Sequence, residues 1–150
     1  MLVSLFTWAQ VTLKHRLLNG YQLTSEAPIN KGKPTLFVFE QAETFDQVFK
    51  ATAASKRADA PNFGKEMVIG IALPSTNKPP KLSVSRIFVN DSTLTVRYIR
   101  MADTTQTNPA QSSTTTQPTL VVAIPKQTVL KTRLIENGKL IQTLQKRESD

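Results

Sequence analysis

Apolar and polar positions alternate with period two over much of this chain, the pattern of half-buried β-strands. Residues 11–18 show it first. Val11, Leu13, His15 and Leu17 fall on one face, and Thr12, Lys14 and Arg16 on the other. Asn19-Gly20 then precedes Tyr21 and Leu23. Asn-Gly predicts a hairpin there, because both positions of the tightest hairpin turn take positive φ. Residues 26–34 hold Pro28, Asn30, Gly32 and Pro34 and read as loop. Thr35–Phe39 is a short apolar strand.

The period changes once. Phe45, Val48, Phe49 and Thr52 recur at i, i+3, i+4 and i+7, which predicts a helix over 42–54 with one apolar face. Thr44 and Gln47 have capping-box spacing. Glu43 and Asp46 near its start, and Lys56 and Arg57 past its end, complement the helix dipole.

The second half reads as strand. Residues 67–73 are apolar at almost every position, so that strand is covered on both faces and central. In 82–89, Leu82 and Val84 share one parity while Ile87 and Val89 have the other, which predicts a bulge near Ser85 and Arg86. Asn90-Asp91-Ser92 is a turn. Residues 93–101 alternate again, with Leu94, Val96 and Tyr98 on one face. Residues 120–124 form a second strand covered on both faces. Residues 129–135 and 140–144 form a hairpin around Asn137-Gly138, with Glu136 facing Lys139. These elements predict an α+β fold: a mostly antiparallel β-sheet with one helix packed on it.

Residues 102–118 interrupt this pattern. They hold six threonines, two serines, three glutamines and no large apolar residue but Met101 just before them. Such a segment has nothing to bury against the entropy of ordering it. Strands on both sides are needed for the sheet, so it is a loop inside the domain, either a disordered spacer or a binding loop. One domain over 11–150 is expected. The first ten residues end an apolar stretch on Ala9-Gln10. They read either as the remnant of a secretory signal or as a first β-strand, since the basic start of a full signal is missing.

Composition narrows the chemistry. There is no cysteine, which excludes disulfides, thiolate metal sites and cysteine nucleophiles. His15 is the single histidine. It cannot anchor a zinc site alone, and no nucleophile elbow accompanies it. The eleven acids are spread over helix ends, turns and the tail, and the five glycines form no phosphate-binding pattern. Asn90-Asp-Ser92 is formally a glycosylation sequon, but its place is a tight turn. No catalytic, cofactor-binding or metal-binding residue is assigned, and no cofactor is expected. The net charge of +8 and pI near 10.0 point toward anions in general. The basic residues stand singly or in pairs, such as Lys14 and Arg16, or Arg97 and Arg100, without the long runs of a nucleic-acid-binding tail.

The stretch Ala60-Pro-Asn-Phe-Gly-Lys-Glu-Met-Val-Ile-Gly-Ile71 resembles the opening of the PrcB C-terminal family. That family shows a Pro-Asp-Phe-like turn followed by a hydrophobic strand. Leu82-Ser-Val-Ser-Arg-Ile87, Leu94-Thr-Val-Arg-Tyr98 and Pro118-Thr-Leu-Val-Val-Ala-Ile-Pro-Lys126 are similar to its later pieces. The strand–Gly20–strand unit and Phe45-x-x-x-Phe49 fit its layout, so the resemblance covers about 12–130. The family's Gly-Gly-Tyr-Ser-like segment is replaced here by Asn77-Lys-Pro-Pro80. The resemblance implies an exported, non-catalytic accessory domain that binds and stabilises a partner protein, as the namesake does for a cell-surface protease complex. It carries over no catalytic residues. The alternative from charge alone is a basic module that binds nucleic acid or acidic polymer.

Overall fold

The computed structural model describes residues 10–52, 60–102 and 115–145. The signal-like stretch 1–10 therefore lies outside the described residues, save Gln10, as do Lys56, Arg57 and residues 103–114. The described chain is β-rich, with one short helix and three sheets where the sequence predicted one.

The outer sheet has five strands in the order β1 (Val11–Thr12), β7 (Lys81–Asn90), β8 (Thr93–Met101), β10 (Lys131–Glu136) and β11 (Lys139–Gln145). The central sheet has four, in the order β2 (Arg16–Leu17), β9 (Thr119–Pro125), β6 (Glu66–Ala72) and β4 (Thr35–Phe39). A ribbon of β3 (Tyr21–Leu23) and β5 (Phe49–Ala51) and the helix α1 (Ala42–Val48) supply the third layer. All neighbouring strands are antiparallel except β8 and β10. Those two are parallel because the chain between them crosses to the central sheet as β9 before returning.

The two apolar faces of the central sheet explain its continuous hydrophobic runs. Met67, Ile69 and Ile71 of β6, with Leu120, Val122 and Ile124 of β9, pack against Ile87, Leu94, Val96 and Leu134 of the outer sheet. The opposite positions are smaller: Val68, Gly70 and Ala72, with Val121 and Ala123. They lie beneath Phe37, Phe39, Phe45 and Phe49. Small residues on one side let aromatic rings approach the sheet, and the rings meet edge-on or offset at centroid separations of 5.4–6.0 Å.

The alternating run 11–18 is not one strand. Leu13 N–H makes its bond to Ile87 of the outer sheet, whereas Arg16 already pairs with Ala123 of the central sheet. The chain bends between them and joins the two sheets along one side. His15 consequently sits exposed at the bend, not on a packed face. On the opposite side Gln142 Oε1 accepts a hydrogen bond from the edge N–H of Leu36, which joins β11 to β4 and occupies an otherwise open edge.

Two further expectations are corrected. Asn19-Gly20 does not make a hairpin: β2 pairs with β9, and β3 pairs with β5. Only Gly20 takes positive φ, and its carbonyl accepts from both the N–H and the hydroxyl of Thr52. The helix stops at Val48, because 49–51 extend to pair with β3. Thr44 forms no capping box; its hydroxyl donates to the Gln41 carbonyl. Thr24 instead closes the C-terminal end, donating from its N–H to Val48 and from its hydroxyl to Gln47. The bulge, by contrast, falls where phase predicted it, with the register shifting between Val84 and Arg86. The Asn137-Gly138 hairpin also forms, with both residues at positive φ. The far end of the 102–118 segment is ordered: Thr116 and Thr76 exchange two backbone hydrogen bonds, and Leu73 N–H donates to Pro118.

Candidate binding face

Period-two alternation in β8 buries Leu94, Val96 and Tyr98 and turns Thr93, Thr95, Arg97, Ile99 and Met101 to the solvent face of the outer sheet. The β7 bulge determines what stands beside them. Leu82 and Val84 point into the core, so an uninterrupted strand would send Arg86 inward too. The extra residue Ser85 shifts the phase, and Arg86 and Phe88 emerge on the solvent face while Ile87 goes inside.

Register then lays out a lattice. One row across the five strands runs Thr12, Phe88, Thr95, Arg133 and Thr143. The next runs Arg86, Arg97, Ile135 and Leu140. Asn90, Thr93 and Lys131 form a third. Phe88 and Thr95 are buried at 8% and 3% exposure and make the floor of a shallow hollow of about 600 Å³. The Arg86 guanidinium lies 4.6 Å from the Phe88 ring centroid and donates to Thr12 Oγ1 at 3.1 and 2.8 Å. It is thus held in place by a cation–π contact and two hydrogen bonds.

Among the described residues no carboxylate pairs with Arg97, Lys131 or Arg133. Among the described residues the one acid lining the hollow is Asp91, in the turn at its rim. Arg86 and Arg97 stand directly opposite each other across antiparallel strands, an arrangement of like charges that costs stability. Exposed aliphatics share the face: Ile99, Met101 at 59% and Leu140 at 46% exposure.

The paired acids of the described chain sit elsewhere and serve the fold. Glu66 takes a two-point hydrogen bond from Arg16, at 3.0 and 2.9 Å, and a third from Asn62 N–H. The Arg16 hydrogen bond, against the opposing effect of burial, holds its carboxyl below the usual glutamate range. Tyr98 donates its hydroxyl to Glu136, which also faces Arg100 at 3.8 Å. Burial first, and the Glu136 carboxylate second, push the Tyr98 hydroxyl well above its ordinary value. This group closes one end of the main core.

The sequence assigns no site residue. Among the described residues no group of three or more histidines, cysteines or acids is gathered, and no helix is long and apolar enough to cross a membrane. Another hollow, about 410 Å³ in volume, is lined by Pro79, Pro80 and Pro118. The basic face is hidden in the sequence because its members come one or two at a time from three strands. The alternation of β8 and the phase change in β7 were the legible signals for two of them. The parallel neighbour that adds Arg133 and Lys131 left none. No protein family, curated protein or solved structure matches the chain.

Proposed function

We propose that this protein is a non-catalytic, exported accessory domain that binds and stabilises a partner protein, through the solvent face of its outer sheet. The observation that carries the reading is the exposure of Ile99, Met101 and Leu140 together on that one face. Clustered exposed apolar side chains on a regular sheet mark interaction surfaces. The resemblance of 60–71 and 118–126 to the PrcB C-terminal family supports the same role, and that resemblance is the basis for export. A gene segment encoding a complete secretory signal just upstream of Met1 would support export directly.

The test uses a tagged full chain in the cell that encodes it. A partner should co-purify with the wild type and not with Ile99→Glu, and its half-life should shorten when the chain is depleted. Equal recovery with Ile99→Glu, or an unchanged half-life, would remove the reading. The net charge of +8 favours a second one, a module for nucleic acid or acidic polymer. Its mark would be retention on nucleic acid that weakens steeply between low and physiological salt.

A further inference from the structure

We infer that the surface received by this face is an acidic polypeptide, with carboxylates seated against Arg97, Arg133 and Lys131 and aliphatic side chains laid on Ile99, Ile135 and Leu140. The inference rests on the partner-protein reading and adds the partner's chemistry. Three observations carry it.

The first is uncompensated charge. Arg86 and Arg97 are cross-strand neighbours, and Arg133 lies diagonal to Arg97 on the next strand. No carboxylate of the described residues pairs with Arg97, Arg133 or Lys131. A sheet surface normally intersperses charges, because like charges directly opposite repel. An incoming carboxylate would relieve that repulsion, and the planar guanidinium fork fits a carboxylate with two parallel hydrogen bonds. The second is the nature of the gaps between the cations. Ile135, Thr93 and Thr95 stand among them, and Ile99, Leu140 and Thr143 flank them. Aliphatic surface gains nothing from phosphate or sugar but buries well against aliphatic side chains. The third is the aromatic content. Among the described residues Phe88 is the only ring on this lattice, and it is 8% exposed beneath the Arg86 guanidinium. Single-stranded nucleic acid is gripped by open aromatic platforms, and the described residues of this face offer none. A second copy of the chain is disfavoured as occupant, since the same cations would meet face to face.

The test measures binding of the full chain to three labelled probes: a short peptide alternating Glu with Leu, the same peptide with Gln for Glu, and single-stranded DNA of matched charge. The Glu–Leu peptide should bind more tightly than the other two. Arg97→Thr and Arg133→Thr should each weaken it roughly tenfold, the loss of one charge-assisted hydrogen-bonded pair. Lys50→Thr removes one positive charge from the exposed ribbon strand, away from this face, and should leave binding nearly unchanged. Arg97→Thr should also melt at the same temperature as the wild type or higher, because it removes the like-charge pair with Arg86. Equal weakening by Lys50→Thr and Arg97→Thr would reduce the effect to net charge and overturn the site. Tighter binding of DNA than of the Glu–Leu peptide would replace the polypeptide with nucleic acid. A lowered melting temperature for Arg97→Thr would make the arginines structural. Failure of the inference leaves its own signature: a cellular partner that still co-purifies with Arg97→Thr would keep the partner-protein reading and remove the acidic one.

Discussion

Replacing Gly70 with alanine is expected to destabilise the protein although alanine suits a strand better than glycine. Gly70 lies in β6 between Phe37 of β4 and Val121 of β9. A Cβ built there comes within 2.7 Å of Phe49 Cε2 and 3.1 Å of its Cζ. Ordinary contact begins near 3.4 Å, so the ring must retreat by 3.4 − 2.7 = 0.7 Å. It has nowhere to go. Phe49 is 1% exposed, and its ring is boxed by Phe37, Phe39 and Phe45 at centroid distances of 5.8, 6.0 and 5.8 Å. Overpacking a tight core costs about 1–3 kcal/mol. Relief of glycine's conformational entropy returns roughly 0.5–1 kcal/mol. The net loss should be about 1–2 kcal/mol, or a few degrees in Tm for a chain of this length, at roughly 2–4 °C per kcal/mol. Urea unfolding of Gly70→Ala, Phe49→Leu and the double variant tests the cause as well as the size. The smaller side chain makes room for the new methyl, so the double variant should lose at least ~0.5 kcal/mol less than the sum of the singles. A Gly70→Ala protein as stable as the wild type, or strict additivity in the cycle, would refute the steric account.

Val122→Asp should prevent folding, since Val122 is 1% exposed between the two sheets and an unpaired buried carboxylate costs several kcal/mol; circular dichroism checks it. Replacing residues 104–113 with a short Gly/Ser linker should change the melting temperature little, whereas extending the deletion through Thr116 and Pro118 removes three backbone hydrogen bonds and should lower it measurably. Asp91 and Ser92 both hold positive φ, at 51° and 64°, so Ser92→Gly should raise stability by about 0.5–1 kcal/mol in a denaturant titration. The raised Tyr98 hydroxyl contributes stability that is fully present below its ordinary value of 10.0 and is lost as pH rises above it, because the unfolded chain ionises first. Tyr98→Phe should cost about 1 kcal/mol at neutral pH and flatten the alkaline limb of the stability–pH curve; an alkaline limb equal to that of the wild type would disprove the link.

Local pattern was enough for most strands. The apolar runs of β4, β6 and β9, the alternation of β8, the β7 bulge and the Asn137-Gly138 turn were each legible, because each depends on side-chain period or on φ at one or two neighbouring residues. Partner choice was not. Asn19-Gly20 could have closed a hairpin, but Leu23 and Gln22 found better partners in Phe49 and Lys50. That same pairing cut short a helix whose 3.6-residue period was sound up to Phe49, since burying Phe49 against Gly70 required extended backbone.

For the longer strands, β4 and β6–β11, the sequence by itself determined where they lie and which side of each is apolar, since burial must follow the alternation of side chains. Only the tertiary structure decided which strands are neighbours. Pairing energy is nearly independent of sequence separation, whereas closing the chain between strands depends on the whole path. The bend at His15 and the parallel β8–β10 contact are products of that path. The basic face is a product of it too. The bulge that turns Arg86 outward and the hairpin pairing that sets it opposite Arg97 are local, but Arg133 joins them only because β10 returns from the central sheet to lie beside β8.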